Sequence, residues 1–412
     1  MGLNDMPSGE RARIGFFGVR NAGKSSVVNA VTGQGMSVVS DVAGTTTDAV
    51  RRAMELLPLG PVVVVDTPGV DDDAGELGAR RVAAARRELE GCDAAVLVVD
   101  GARGLAGPDR DLLDAFGRRG VPFVVAWNKC DLPAARAALV GLGEREADLA
   151  ERCVAVSARS GAGVRELKER LARLAAPAPR ARRVVADLVE PGDVVALVCP
   201  IDASAPRGRL ILPQQMTIRD LLDAGCLPLV CRETELASAL AALVGPPALV
   251  VTDSQVFAQV ARVVPDSVPL TSFSILMLRY KADLVAAVRG AAALDVLRDG
   301  DRVLVSEGCT HHRQCEDIGT VKIPAWLAAH TGADLRLSFT SGGEFPEDLT
   351  PFSAVVHCGG CTLGAREMRA RQERAEEQGV PMTNYGVAIA HMHGILRRSL
   401  APFPEALAAL DA

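Results

Sequence analysis

No histidine precedes His311 in this chain of 412 residues, and all six lie at or beyond that position. Imidazole chemistry is thereby confined to the C-terminal part. Aromatic residues make up only 3% of the chain, which leaves few platforms for stacking bases. Basic residues are not in excess: the formal net charge is −6, so no global basic field attracts nucleic acid. No apolar run approaches the ~18–20 residues of a membrane span. The segment from Met1 to Arg13 lacks the apolar core of a signal peptide, so a cytoplasmic location is expected. In that compartment the ten cysteines are expected to be buried, catalytic or metal-bound, not disulfide-paired. The 49% hydrophobic content and mixed charge describe two or three well-packed domains.

The expected fold class is α/β in three domains. Residues 1–176 alternate apolar runs (Arg13–Gly18, Val62–Asp66, Ala94–Asp100, Val121–Asn128, Cys153–Ser157) with helical patterns, which predicts a doubly wound parallel sheet. A Pro- and Arg-rich linker follows at Ala175–Arg183. Residues 184–264 read as a small α/β unit without histidine or any chemical motif, so its expected role is packing or assembly. Residues 268–412 again alternate strands (Pro269–Phe273, Arg302–Ser306, Leu335–Phe339, Ala354–Cys358, Pro381–Asn384) with helices, one of them expected over Leu278–Leu297. Ligands of open parallel sheets bind beyond the carboxyl ends of the strands.

Gly18-Val19-Arg20-Asn21-Ala22-Gly23-Lys24-Ser25 matches G-x-x-x-x-G-K-S between a predicted strand and a predicted helix. Such a loop points its amides at phosphate oxygens. Gly18, Asn21, Ala22, Gly23, Lys24, Ser25 and Ser26 are the expected phosphate contacts, with Lys24 on the outer phosphates and Ser25 on Mg2+. Asp66-Thr67-Pro68-Gly69 offers an acidic residue for magnesium and a glycine amide for the γ-phosphate. Asn128-Lys129-Cys130-Asp131 fits N-K-x-D, whose carboxylate accepts from the ring nitrogen and exocyclic amine of guanine, which selects GTP over ATP. Ser157 and Ala158 fit the loop that supports the base. Gly44–Asp48 supplies a switch threonine for magnesium, Thr46 first and Thr45 second. Lys24, Thr46, Asp66 and Gly69 are the expected catalytic set.

In this order the motifs resemble the translation-factor-like GTPases of the tRNA-modification and Era-like branch. The resemblance places Asn21 where potassium-activated members bind K+. Val70 stands where Ras-type enzymes carry a glutamine; an apolar side chain cannot orient water, so slow, potassium-stimulated hydrolysis is expected.

The second chemical signal is Cys309-Thr310-His311 with His357-Cys358-Gly359-Gly360-Cys361. Three thiolates suit a 4Fe–4S cluster with one iron left to a weak ligand, with His311, His357, Glu316 or Cys315 as candidates for the fourth position. They equally suit a closed structural zinc with one histidine. Unligated core cysteines are the third alternative. Cys92, Cys130, Cys153, Cys199, Cys226 and Cys231, scattered through apolar stretches, read as small core hydrophobes.

With Gly208–Gln214, Thr217–Asp220, Asp317–Gly319 and Lys322–Pro324, these motifs resemble the FeFe-hydrogenase maturation GTPases known as HydF, over the whole chain. The resemblance implies a scaffold that carries a transient diiron cargo, the H-cluster precursor, to apo FeFe-hydrogenase. It implies radical-SAM maturation enzymes as further partners, a homodimer through the middle domain, and neither nucleic acid nor membrane as partner. It also implies a 4Fe–4S cluster on Cys309, Cys358 and Cys361, with His311, His357 or Glu316 as fourth ligand or cargo contact. The competing reading is an RNA- or ribosome-associated GTPase with a structural zinc.

Overall fold

The computed structural model describes residues 8–33, 50–57, 59–70, 76–175, 183–201, 210–308 and 318–411. The chain forms two compact units, residues 1–180 and 181–412.

The first unit is built on a six-stranded sheet of β1 (Ala12–Phe17), β2 (Val50–Leu56), β3 (Gly60–Asp66), β4 (Ala94–Asp100), β5 (Phe123–Asn128) and β6 (Cys153–Ala155), in the order β2-β3-β1-β4-β5-β6. All pairings are parallel except that of β2 with β3. The continuous apolar runs are explained by burial on both faces: every residue of β4 except Asp100 is buried. One face packs Ile14, Phe16 and Val98 on Leu167 and Leu171; the other packs Phe17, Leu97 and Trp127 around Phe116. Burying each such side chain contributes about 1.5–3 kcal/mol.

The second unit contains two four-stranded parallel sheets. One has β7 (Val194–Val198), β8 (Leu227–Cys231), β9 (Leu249–Thr252) and β10 (Leu270–Ser272) in the order β10-β9-β7-β8. The other has β11 (Arg302–Glu307), β12 (Arg336–Ser341), β13 (Ala354–His357) and β14 (Met382–Asn384) in the order β12-β11-β13-β14. The strand expected at 269–273 to open the third domain instead closes the middle sheet, against β9. A single apolar cluster joins the layers: Leu197 and Val251 pack with Leu276, Val288, Met368 and Val387.

The helix expected over 278–297 is two helices, Phe273–Lys281 and Leu284–Ala292, followed by a 3-10 turn at Ala293–Val296. The first ends where Ala282 adopts φ −141° and ψ −157°. Asp283 starts the second by accepting from the amides of Val285 (2.7 Å) and Ala286 (3.1 Å). Among the described residues no helix is long and apolar enough to cross a membrane.

Candidate functional site

In the first unit, β1 runs into the loop Gly18–Gly23 and then the helix Lys24–Thr32. Gly23 has φ 85°, and a Cβ there would collide with the Asn128 side chain. Asn21 takes the left-handed conformation at φ 63° and is exposed. Its carbonyl accepts from Lys129 Nζ at 3.2 Å, and Lys129 also reaches Asp100 Oδ2 at 2.6 Å. Asp66 is buried at the end of β3 and receives both neighbouring helix residues, Lys24 through Nζ and Ser25 through Oγ at 3.0 Å. A hydroxyl and a carboxylate are hard oxygen donors suited to magnesium, and Lys24 beside them suits a phosphate.

Thr67 is held to the end of β1 by its amide (3.2 Å) and hydroxyl (2.7 Å), both donating to Phe16 O. Gly69 lies against the Arg20 backbone, so the two loops approach without a side chain between them. The Val70 amide donates to Gly18 O at 3.2 Å, and its side chain is buried in the core with Phe17 and Leu97. It therefore contributes no polar group to the site.

The base-binding motif is tied to the phosphate loop. Asn128, 2% exposed, donates to Ala22 O at 3.0 Å and accepts from the Ala158 amide at 3.1 Å. Ser157 Oγ donates to Asp131 Oδ1 at 2.8 Å, and this bond holds the Asp131 carboxyl below its usual range. Asp131 thus stands exposed and ionised. Ser26 is half-buried in the first turn of the helix. Thr45 and Thr46 lie outside the described residues.

The second site sits where the strand order of the last sheet reverses, between β11 and β13, whose ends pair through Ser306 and His357. The Cys358 amide donates to Ser306 O at 2.8 Å, and Cys358 Sγ accepts from the amides of Gly308 (3.0 Å) and Gly360 (3.4 Å). Thr362 Oγ1 donates to Gly308 O at 2.8 Å. The Cys358–Cys361 loop is therefore stitched to the segment that leads into Cys309. Cys309, His311, Cys315 and Glu316 lie outside the described residues. Burial, and then Cys358 beside it, push the Cys361 thiol up, while Lys281 opposes them. N–H···S donors around a cysteine in a two-cysteine loop fit a thiolate-bound metal group.

Two features of this site were not read from the sequence. Lys281 is fully buried and donates to three carbonyls of the loop: Gly360 (3.1 Å), Cys361 (3.2 Å) and Leu363 (2.8 Å). Its signal was a lysine closing the apolar run Phe273–Leu278. Arg371, also buried, faces His357 Nε2 at 3.0 Å and is anchored by Gly342 O (3.0 Å) and Glu367 (2.8 Å). Arginine can only donate, so His357 Nε2 accepts and the ring proton lies on Nδ1, 2.7 Å from Cys358 O. Both ring nitrogens of His357 are thus hydrogen-bonded, one to the Cys358 carbonyl and one to Arg371.

Residues 184–282 match the family model described as the hydrogen maturase F dimerization domain, and residues 285–402 match the hydrogen maturase F tetramerization domain. Residues 13–129 match the model described as a 50S ribosome-binding GTPase. The chain belongs to the hydrogen maturase F family. In this chain the segment carrying the cysteine loop is the one matched as the tetramerization domain. The N-terminal unit is similar to the tRNA modification GTPase MnmE of Burkholderia thailandensis, 36% identical over 179 residues, covering 42% of this chain and 38% of that protein. MnmE of Xanthomonas campestris is 36% identical over 181 residues, covering 42% and 37%. The chain thus spans less than two fifths of the length of these curated relatives. Similar solved structures include a probable GTP-binding protein, engB, at TM-score 0.33 and 24% identity, covering 40% of this chain and 98% of that one. Era of Aquifex aeolicus bound to GDP.AlF4- matches at TM-score 0.37 and 19% identity, covering 55% and 95%.

Proposed function

We propose that this protein is a GTP-hydrolysing scaffold of hydrogenase maturation that holds a 4Fe–4S cluster and passes a diiron cargo to apo FeFe-hydrogenase. The observation that carries the reading is a phosphate loop tied to an N-K-x-D motif on a chain whose remaining two segments match the hydrogen maturase F models. Lys24 neutralises the outer phosphates, Ser25 and Thr46 take magnesium, and Asp66 and Gly69 complete the switch side. Asn128, Lys129 and Asp131 with Ser157 and Ala158 bind guanine. With Val70 turned into the core, K+ beside Asn21 supplies positive charge at the phosphates. GTP turnover is expected to be faster in potassium than in sodium buffer; equal rates would sink this point.

Cys309, Cys358 and Cys361 hold the cluster, with His311, His357 or Glu316 as fourth ligand or cargo contact. A cluster bound by three thiolates supplies an iron with an exchangeable position, as a carrier that must release its cargo requires. Around it, Lys281 fixes the loop carbonyls, and His357 and Arg371 fix the Cys358 carbonyl.

Residues 184–282 make the homodimer. Its exposed apolar edge supports this: β8 is the outer strand of its sheet, with Leu227 58% and Val230 44% exposed. The nucleotide state acts as a switch on docking of radical-SAM maturation enzymes in the cytoplasm. The deciding experiment is anaerobic purification with iron and sulfide analysis and EPR of the reduced protein. Iron and sulfide with a cluster signal, lost in Cys358→Ser and Cys361→Ser while GTP hydrolysis persists, is the expected result. Zinc without iron would overturn the scaffold reading.

A further inference from the structure

A second group of metal-type side chains lies in the same unit, away from the cysteines. His330 Nε2 and His391 Nε2 lie 2.7 Å and 2.8 Å from one oxygen, Asp295 Oδ1. Their three ligand atoms all fall within 4.8 Å of one another. The residues come from three separate elements. Asp295 is in the turn Ala293–Val296, His330 in the last turn of the helix Ile323–Thr331, and His391 in the last turn of the helix Tyr385–Met392. The imidazole centroids are 5.5 Å apart at an interplanar angle of 61°, so the rings approach one point from different directions.

Two physical features favour a cation at that point. The last turns of two helices meet there, and helix C-termini carry the negative ends of the helix dipoles. Exposure is graded: the His391 side chain is 14% exposed, His330 22% and Asp295 50%, so the nitrogens are sheltered while the oxygen side opens to water. In the absence of an ion, two imidazole N–H groups occupy the two lone pairs of one carboxylate oxygen. A metal ion would instead take two nitrogen lone pairs and a carboxylate oxygen around one centre.

The group is distinct from the cysteine site. Cys358 follows the carboxyl end of β13, whereas Asp295 precedes β11 and the helix carrying His330 precedes β12. His391 lies six residues along its helix from Tyr385, or about 9 Å at 1.5 Å per residue. Tyr385 itself reaches Glu307 at the carboxyl end of β11, at 3.3 Å. The three residues therefore occupy the opposite edge of the sheet.

We propose that Asp295, His330 and His391 form a binding site for a divalent transition-metal ion of the zinc class. Two borderline nitrogens and one hard oxygen suit Zn2+, Co2+ or Ni2+ better than Mg2+ or an iron–sulfur cluster. The remaining coordination positions face solvent through Asp295. The ion clips the ends of two helices and a turn that otherwise meet only through side chains.

The test uses the full chain with Cys309, Cys358 and Cys361 replaced by serine, so that thiolates do not compete, after removal of metal by a chelator. Zn2+ and Co2+ are titrated calorimetrically, and cobalt binding is followed by visible absorption. One ion per chain is expected, with the spectrum of nitrogen- and oxygen-bound cobalt and no thiolate charge-transfer band. His330→Gln, His391→Gln and Asp295→Asn should each weaken binding more than about 10-fold, since even changes that only support a ligand cost 10–100-fold. Asp295→Asn keeps a carbonyl acceptor for both imidazoles, so it separates a metal role from a hydrogen-bonding one. Zn2+ should raise the melting midpoint of the parent and not of the variants. Absence of stoichiometric binding by the triple-serine parent, with its cooperative melting transition intact, would overturn the proposal, as would absence of a thiolate-independent zinc site in the chelator-treated unsubstituted chain. So would undiminished binding in the double variant H330Q/H391Q.

Discussion

At the scale of single residues, the most consequential side chain of the cysteine site is one that binds nothing itself. Lys281 is fully buried and satisfies three carbonyls of the Cys358–Leu363 segment. Lys281→Met keeps the length and removes the donors, leaving buried acceptors unpaired at about 1–3 kcal/mol each. A loss of about 3 kcal/mol in denaturant unfolding is expected, together with reduced iron retention after anaerobic purification; unchanged values for both would show that the loop holds itself. The remaining cysteines behave differently. Burial pushes the thiols of Cys153 and Cys199 up to about 12 from an ordinary 9. Alkylation proceeds through the thiolate, so at pH 8 these two should react about 1000-fold more slowly than an exposed thiol, and faster as pH rises toward 12. Mass mapping after a short alkylation checks this. The sequence reading of these two as core residues follows from their apolar neighbours. The Arg371 partner of His357 was not legible for an equally local reason: it lies on another element, 14 residues further along the chain.

At the scale of elements, the legible parts were those buried on both faces. β4 and β13 read as unbroken apolar runs, and the helix Val164–Leu174 presents Val164, Leu167 and Leu171 on one buried face. β2 was invisible because it is an edge strand whose residues, except Met54 and Leu56, are exposed, so no apolar period marks it. The break at Ala282–Asp283 was missed for a different reason. Its signal is one aspartate, and Gln372 secures it from another helix, accepting from the Asp283 amide and donating to its carbonyl, both at 2.8 Å. Asp283→Ala removes the cap and should cost about 1 kcal/mol, read as a lower denaturation midpoint with unchanged slope.

At the scale of the whole molecule, the order of motifs told more than composition did, because a phosphate loop, N-K-x-D and a distant C-x-x-C each need a particular place on a sheet. What the sequence could not show was which sheet claims each strand: β10 lies close in the chain to residues of the last sheet and pairs with β9. The assembly reading is testable at the exposed edge of β8. Leu227→Lys with Val230→Lys should convert the proposed dimer to monomers in sedimentation at fixed concentration, with protomer stability changed by no more than about 0.5 kcal/mol. The position of Lys281 bears on how such a chain can be recombined. Its ammonium comes from the segment matched as the dimerization domain, and the carbonyls it holds come from the segment matched as the tetramerization domain. Exchange of either segment for an unrelated module would strand a charge in the interior on one side of the junction and bare acceptors on the other. The two are therefore expected to travel together as one heritable block, although the junction between them looks like a place to cut.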